Sequence, residues 1–114
     1  MTEIEVKQHA EEKAEALAKQ LGVKVHPIGF KDEHDGYITG FLKEPSMQVK
    51  LAILDKSMIG AFTASEELLE VILLKQHSHP RLSSKRPEDD RLYLGAVMAA
   101  YDLIKFNVDI FKKK

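Results

Sequence analysis

Pro45 divides the chain into two hydrophobic rhythms, and that division constrains the fold more than any other feature. Between Val23 and Pro45, apolar side chains alternate in short runs. Downstream, they recur every three or four residues. Proline lacks an N–H and pushes the residue before it toward extended geometry, so Glu44 closes a strand. Ser46, whose hydroxyl can accept a backbone N–H, opens a helix.

Two strands precede that boundary. Val23 to Phe30 alternates moderately, and Pro27 within it predicts an edge strand or a bulge. Lys31 to Gly36 is a polar turn in which Asp35-Gly36 signals a hairpin. Tyr37 to Leu42 returns, with Tyr37, Thr39 and Phe41 on one face and Ile38 and Leu42 on the other. Gly40 weakens this strand or lets a neighbouring backbone come close. A two-stranded sheet is marginal alone, so helices or a partner strand have to cover it.

Three helices follow. The first carries a regular seam of Met47, Leu51, Leu54 and Met58 and is stopped by Gly60. Thr63 and Glu66 have capping-box spacing at the start of the second. Leu68, Leu69, Val71, Ile72, Leu73 and Leu74 make that helix apolar on nearly every side, which predicts the centre of the core. It ends near His77, since Pro80 cannot continue it. Ser78 to Asp90 reads as a polar loop. The last helix runs from about Glu88 with a stripe of Tyr93, Val97, Ala100, Tyr101, Ile104, Val108 and Phe111. Lys112, Lys113 and Lys114 complement its macrodipole.

Thr2 to Leu21 is a further amphipathic helix, with a capping box at Thr2 and Glu5 and a stop at Gly22. Its stripe (Val6, Ala10, Ala14, Leu17, Ala18, Leu21) is alanine-rich and buries little area. Residues 1–22 are therefore expected to be a peripheral helix and 23–114 a single domain. The fold class is α+β: a short antiparallel β-hairpin, open to extension by a partner strand, packed with a bundle of three to four helices.

The 114 residues carry 17 Lys+Arg against 18 Asp+Glu. That balance gives no electrostatic case for nucleic acid or an anionic membrane. There is no cysteine, which removes thiol catalysis, disulfides and Cys-based zinc sites and fits a reducing cytoplasm. The acidic N-terminus lacks the apolar core of a signal peptide. The run Leu68 to Leu74 is interrupted by Glu70 and is far too short to span a bilayer. A soluble cytoplasmic protein is expected.

Chemistry has few places to reside. His77 and His79, with Asp89 or Asp90, could hold a divalent metal, though the spacing matches no recognised zinc pattern. Ser83-Ser84-Lys85 sets a hydroxyl near an amine without an orienting partner. Arg81, Lys85, Arg86 and Arg91 form a basic patch that Glu88, Asp89 and Asp90 offset, with no aromatic residues interleaved for base stacking. Hydrolase, zincin and phosphate-loop motifs are absent. No catalytic residue, metal or cofactor is expected. Tyr37, Phe41, Met47, Leu51, Leu54 and Met58 are the candidates for a partner-binding surface, methionine being adaptable to varied partners, with ordinary core packing as the alternative reading of Tyr37, Phe41 and the Met47/Met58 seam.

Tyr37 to Lys114 resembles the small tail assembly chaperones of long-tailed phages and prophages. The likeness lies in Gly40-Phe41-Leu42-Lys43-Glu44-Pro45 before a helix and in Ala64-Ser65-Glu66-Glu67-Leu68-Leu69 opening an apolar helix. It continues in a polar acidic loop and in Tyr93 to Lys114, which ends in Phe-Lys-Lys-Lys. The resemblance implies a non-enzymatic protein that self-associates and holds the tape-measure protein soluble during tail morphogenesis. Two other readings stay open on the residues themselves: a homo-oligomeric interaction adaptor of another pathway, and a small metal-dependent enzyme using the His77/His79 loop.

Overall fold

A computed structural model describes residues 2–105. The hairpin turn is built by Asp32, whose Oδ1 accepts the N–H groups of His34 at 2.9 Å and Gly36 at 2.7 Å. Asp35 takes the left-handed conformation at φ 60°, a region that Asn, Asp and Gly tolerate best. On either side run β1 (Val25–Lys31) and β2 (Tyr37–Lys43), antiparallel, with Val25 opposite Lys43 and Lys31 opposite Tyr37.

The alternation of the strands gives the hairpin two different faces. Ile38 and Leu42, joined by Ile28 and Phe30, enter the main core. Val25 and Phe41 point the other way, under Ala14 and Leu17 of α1 (Glu3–Leu21). The capping box at Thr2 and Glu5 forms, and Gly22 ends the helix at φ 70°. The thin stripe of α1 thus covers the outer face of the hairpin, with Ala10, Ala18 and Leu74 filling in around it.

The inner face packs on α3 (Ala61–Ile72) and α4 (Asp90–Ile104), and α2 (Met47–Ser57) lies against those two helices. Ser46 caps α2 by accepting the Val49 N–H at 3.2 Å. The centre of the core is Leu42, Leu68, Leu69, Ile72, Leu92, Ala96 and Ala100, all essentially inaccessible to solvent. The protein is an α+β fold in which one hairpin is sandwiched between a single helix and a three-helix layer.

Two expectations about α3 need correction. Thr63 does not cap it: the helix starts at Ala61, with Gly60 extended at the N-cap and no side-chain cap bond. The tight reversal after α2 leaves no room for a longer entry, and the earlier start places Ala64 and Ser65 in the core. Nor does α3 reach His77. Leu73 turns extended and bridges Leu42, and the Leu74 N–H donates to the Phe41 carbonyl at 2.9 Å. The outward carbonyls of β2 need donors, and this demand outweighs the helix propensity of an all-apolar run.

The segment after α3 is ordered rather than a plain loop. Three short 3₁₀ turns (Lys75–His77, Pro80–Ser83, Pro87–Asp89) lay it along β2 and back to α4. The His79 N–H donates to the Thr39 carbonyl at 2.9 Å, and Ser78 Oγ accepts the Phe41 N–H at 3.0 Å. The sheet is therefore extended on its β2 side by the chain itself. On the β1 side, the bonds from Glu44 to Lys24 and from Asp32 to Gly36 fix the register so that Val25, Pro27, Gly29 and Lys31 turn their backbone outward. Pro27 sits where its missing N–H breaks no ladder bond, as expected for an edge strand.

In α4 the stripe Tyr93, Val97, Ala100 and Ile104 is buried as expected, and Leu92 and Ala96 join it. The expected continuation through Val108 and Phe111 to Lys112, Lys113 and Lys114 lies outside the described residues.

Candidate functional site

Helix α2 is held to the domain by one side only. Ile53 enters the core and Val49 packs against it, while the Lys56 ammonium reaches Glu67 of α3 at 2.6 Å. Glu44, at the end of the strand, pairs with Lys50 and with His26 Nε2, which is 2.6 Å away. These bonds hold the carboxyl of Glu44 below its ordinary range, Lys50 contributing most. With Ile53 inward, the 3.6-residue period turns Met47, Leu51 and Met58 outward, and all three are exposed, with Leu54 half-buried at their flank.

The apolar surface does not stop at the helix end. Met58 and Ile59 are 87% and 97% exposed, so the corner between α2 and α3 is bare hydrocarbon. Phe62 follows in the first turn of α3 and leans on Tyr101 with ring centroids 5.8 Å apart. Leu94 and Met98, also exposed, lie two turns and one turn before Tyr101 on the same side of α4. Clusters of large exposed apolar residues such as these are candidate interaction sites.

Sequence reasoning named the α2 half of this surface and missed Ile59, Phe62, Leu94 and Met98. Ile59 and Phe62 flank Gly60, where the expected break hid them between helices. Leu94 and Met98 are spaced i, i+4 beside the buried stripe, a signal that was available. The structure does not bring Tyr37 and Phe41 to this surface. Phe41 is 2% exposed beneath α1, with the Lys13 ammonium 5.2 Å above its ring. Tyr37 is half-buried on the α1 side of the hairpin, where the N-terminal half of α1 diverges from the strands and leaves a groove of about 380 Å³.

The loop candidates resolve into structural pairs. His77 and His79 are exposed, and His79 Nδ1 accepts the Arg81 N–H at 3.2 Å. Asp89, although buried, faces Arg81, whose guanidinium also grips both oxygens of Glu33 at 2.9 and 3.1 Å. Ser84 and Arg81 together hold the Asp89 carboxyl below its usual range. Among the described residues, no three His, Asp or Glu side chains come together as a metal site.

Lys85 rests 4.4 Å over the ring of Tyr93 and bonds its hydroxyl oxygen at 2.8 Å and Glu66 at 3.1 Å. Tyr93 in turn donates to Glu66 at 2.6 Å. Burial, reinforced by that carboxylate, pushes the phenol up, so it stays protonated as a donor and does not serve as a base. Arg86 pairs with Glu88 at 2.9 Å, and Arg91 donates to the Lys31 carbonyl at 3.2 Å. The basic patch is thus spent on internal partners. Among the described residues, no helix is long and apolar enough to cross a membrane. The chain matches no protein-family model, and comparison with curated proteins and with solved structures gives no match.

Proposed function

We propose that this chain is a non-enzymatic tail assembly chaperone of a phage or prophage. It acts in the cytoplasm and keeps the tape-measure protein soluble through the Leu94/Met98 side of the apolar surface that runs from α2 to α4. The single observation that carries this reading is the outward row on α2 and its continuation through Met58, Ile59 and Phe62 to Met98 and Leu94. An elongated helical client presents apolar stripes, and a shallow methionine-bearing surface on helices fits such stripes with little demand on sequence. The internal pairing of the titratable clusters at Arg81 and Lys85 leaves them without a free nucleophile or base, which supports a binding role.

Co-expression with a tape-measure protein, if one is encoded beside this chain, tests this. A soluble complex is expected, and its yield should fall at least tenfold in the double variant Leu94→Glu/Met98→Glu. A folded chain that captures no tail component would overturn the proposal. Capture of a partner encoded in an unrelated operon would favour the adaptor reading.

A further inference from the structure

We propose that α2 docks on α2 of a second copy of this chain, antiparallel across a two-fold axis, leaving the Leu94/Met98 side for the client. The inference rests on reading α2 as an interaction surface and names its occupant. Its first support is spacing. Met47, Leu51, Leu54 and Met58 follow one another by four, three and four residues, the interval at which helices pair along a seam. Packing within the domain does not call for that spacing, because Ile53 and Val49 anchor the helix from the opposite side.

The second support is self-complementarity. A two-fold interface requires that residue i meet residue j and j meet i. An antiparallel pair centred between Ala52 and Ile53 puts Met47 against Met58 of the second copy and Leu51 against Leu54. The flexible methionines then lie at both ends and the branched leucines at the middle. Gln48 comes opposite Ser57, and Lys50 opposite Asp55, so no like charges meet across the axis. A parallel pair would stack each residue on itself and set Asp55 and Lys50 beside their own copies.

The third support is area. Helix α2 has 11 residues and spans about 16 Å, too short a seam to hold a dimer alone. Ile59 and Phe62 extend it beyond the helix end, where they would overlie Met47 of the second copy. The exposed parts of these side chains amount to roughly 700 Å² per copy, taking about 200 Å² for a large apolar residue. That is close to the ~800 Å² per partner of a standard interface.

The chain has no cysteine, so single cysteines report on the geometry without background. Light scattering on the full chain should give a dimer at micromolar concentration. Leu51→Glu should raise its dissociation constant about 100-fold, a tenfold factor for each of two buried carboxylates, with an unchanged thermal transition. In mild oxidant, a mixture of Met47→Cys and Met58→Cys chains should form the mixed disulfide in preference to either symmetric one. A monomer at high concentration, a dimer indifferent to Leu51→Glu, or preferential Met47→Cys self-coupling would overturn the proposal. The outcome is separable from the chaperone reading. A dimer of this geometry that holds no client leaves this inference standing, whereas a monomer that binds the client through Leu51 leaves only the other.

Discussion

Leu82 lies directly over Gly40: its Cδ1 is 2.5 Å from the point a β-carbon on Gly40 would occupy. Leu82 is fully buried although it sits in a 3₁₀ turn, and the adjacent Ser78 hydroxyl caps the Phe41 N–H. The glycine in β2 exists for a side chain that returns from 42 residues further along the sequence, at position 82. Gly40→Ala should therefore cost about 1–3 kcal/mol by overpacking, and Leu82→Ala about 2–5 kcal/mol by leaving a cavity. Chemical denaturation of both variants checks this. A near-neutral Leu82→Ala would contradict the burial of that turn.

The Arg81 clamp should make stability depend on pH in a defined direction. Glu33 and Asp89 both have carboxyl groups lowered in the folded state, Glu33 mainly by Arg81 and Asp89 by Ser84 and Arg81. A lowered folded value means stability that is present above the unfolded value, near 4, and lost as pH falls through the folded one. Arg81→Gln should lower the melting temperature at pH 7, and its deficit relative to wild type should shrink at pH 3. An equal deficit at both values would show that Arg81 acts through packing alone.

Helix α1 packs on the outer face of the hairpin and on Leu74, so its removal should not destroy the inner core. Deleting residues 1–21 should leave a single cooperative transition at lower temperature and expose Phe41 and Val25 to dye. Leu17→Ala in the full chain should cost about 2 kcal/mol, the low end for a large core truncation, because the cluster around it is small. Loss of any cooperative transition in the deletion would show that the hairpin needs both of its covers.

The helix entries separate by mutation. Ser46→Ala removes an N-cap bond and should cost about 0.5–2 kcal/mol. Thr63→Ala should fall within ±0.5 kcal/mol, because Thr63 is exposed inside α3 and Gly60 holds the cap position. Urea midpoints of the two variants, measured side by side, test the assignment. A larger loss at Thr63 would restore the later helix start.

Sequence patterning foresaw most of this architecture because local signals there agree with tertiary demand. Thr2 and Glu5, Gly22 and Ser46 punctuate helices as their chemistry dictates, and the alternation of Ile38 with Phe41 marks two faces that the fold uses. Legibility failed where distant backbone decided the outcome. Leu73 and Leu74 look helical until the carbonyl of Phe41 claims a donor. Arg81 looks like a free loop cation until Glu33 and Asp89 close on it. The α2 seam was legible as a stripe, but which way it faced depended on Ile53, a residue outside the stripe. Phe41 stayed open between surface and core because the sequence does not say where α1 lands, and the structure places it in the core.

Amide hydrogen exchange on the chain with and without a tape-measure protein, the client proposed for it, tests the central claim most directly. The account predicts slowed exchange across the Leu94–Met98 turn of α4, with α2 and the Met58–Phe62 corner, which the second copy already covers, the hairpin and the His77–Ser84 segment unchanged. Protection confined to the His77–Ser84 segment or to the groove between α1 and the hairpin would contradict it and place the working surface on the opposite side of the molecule.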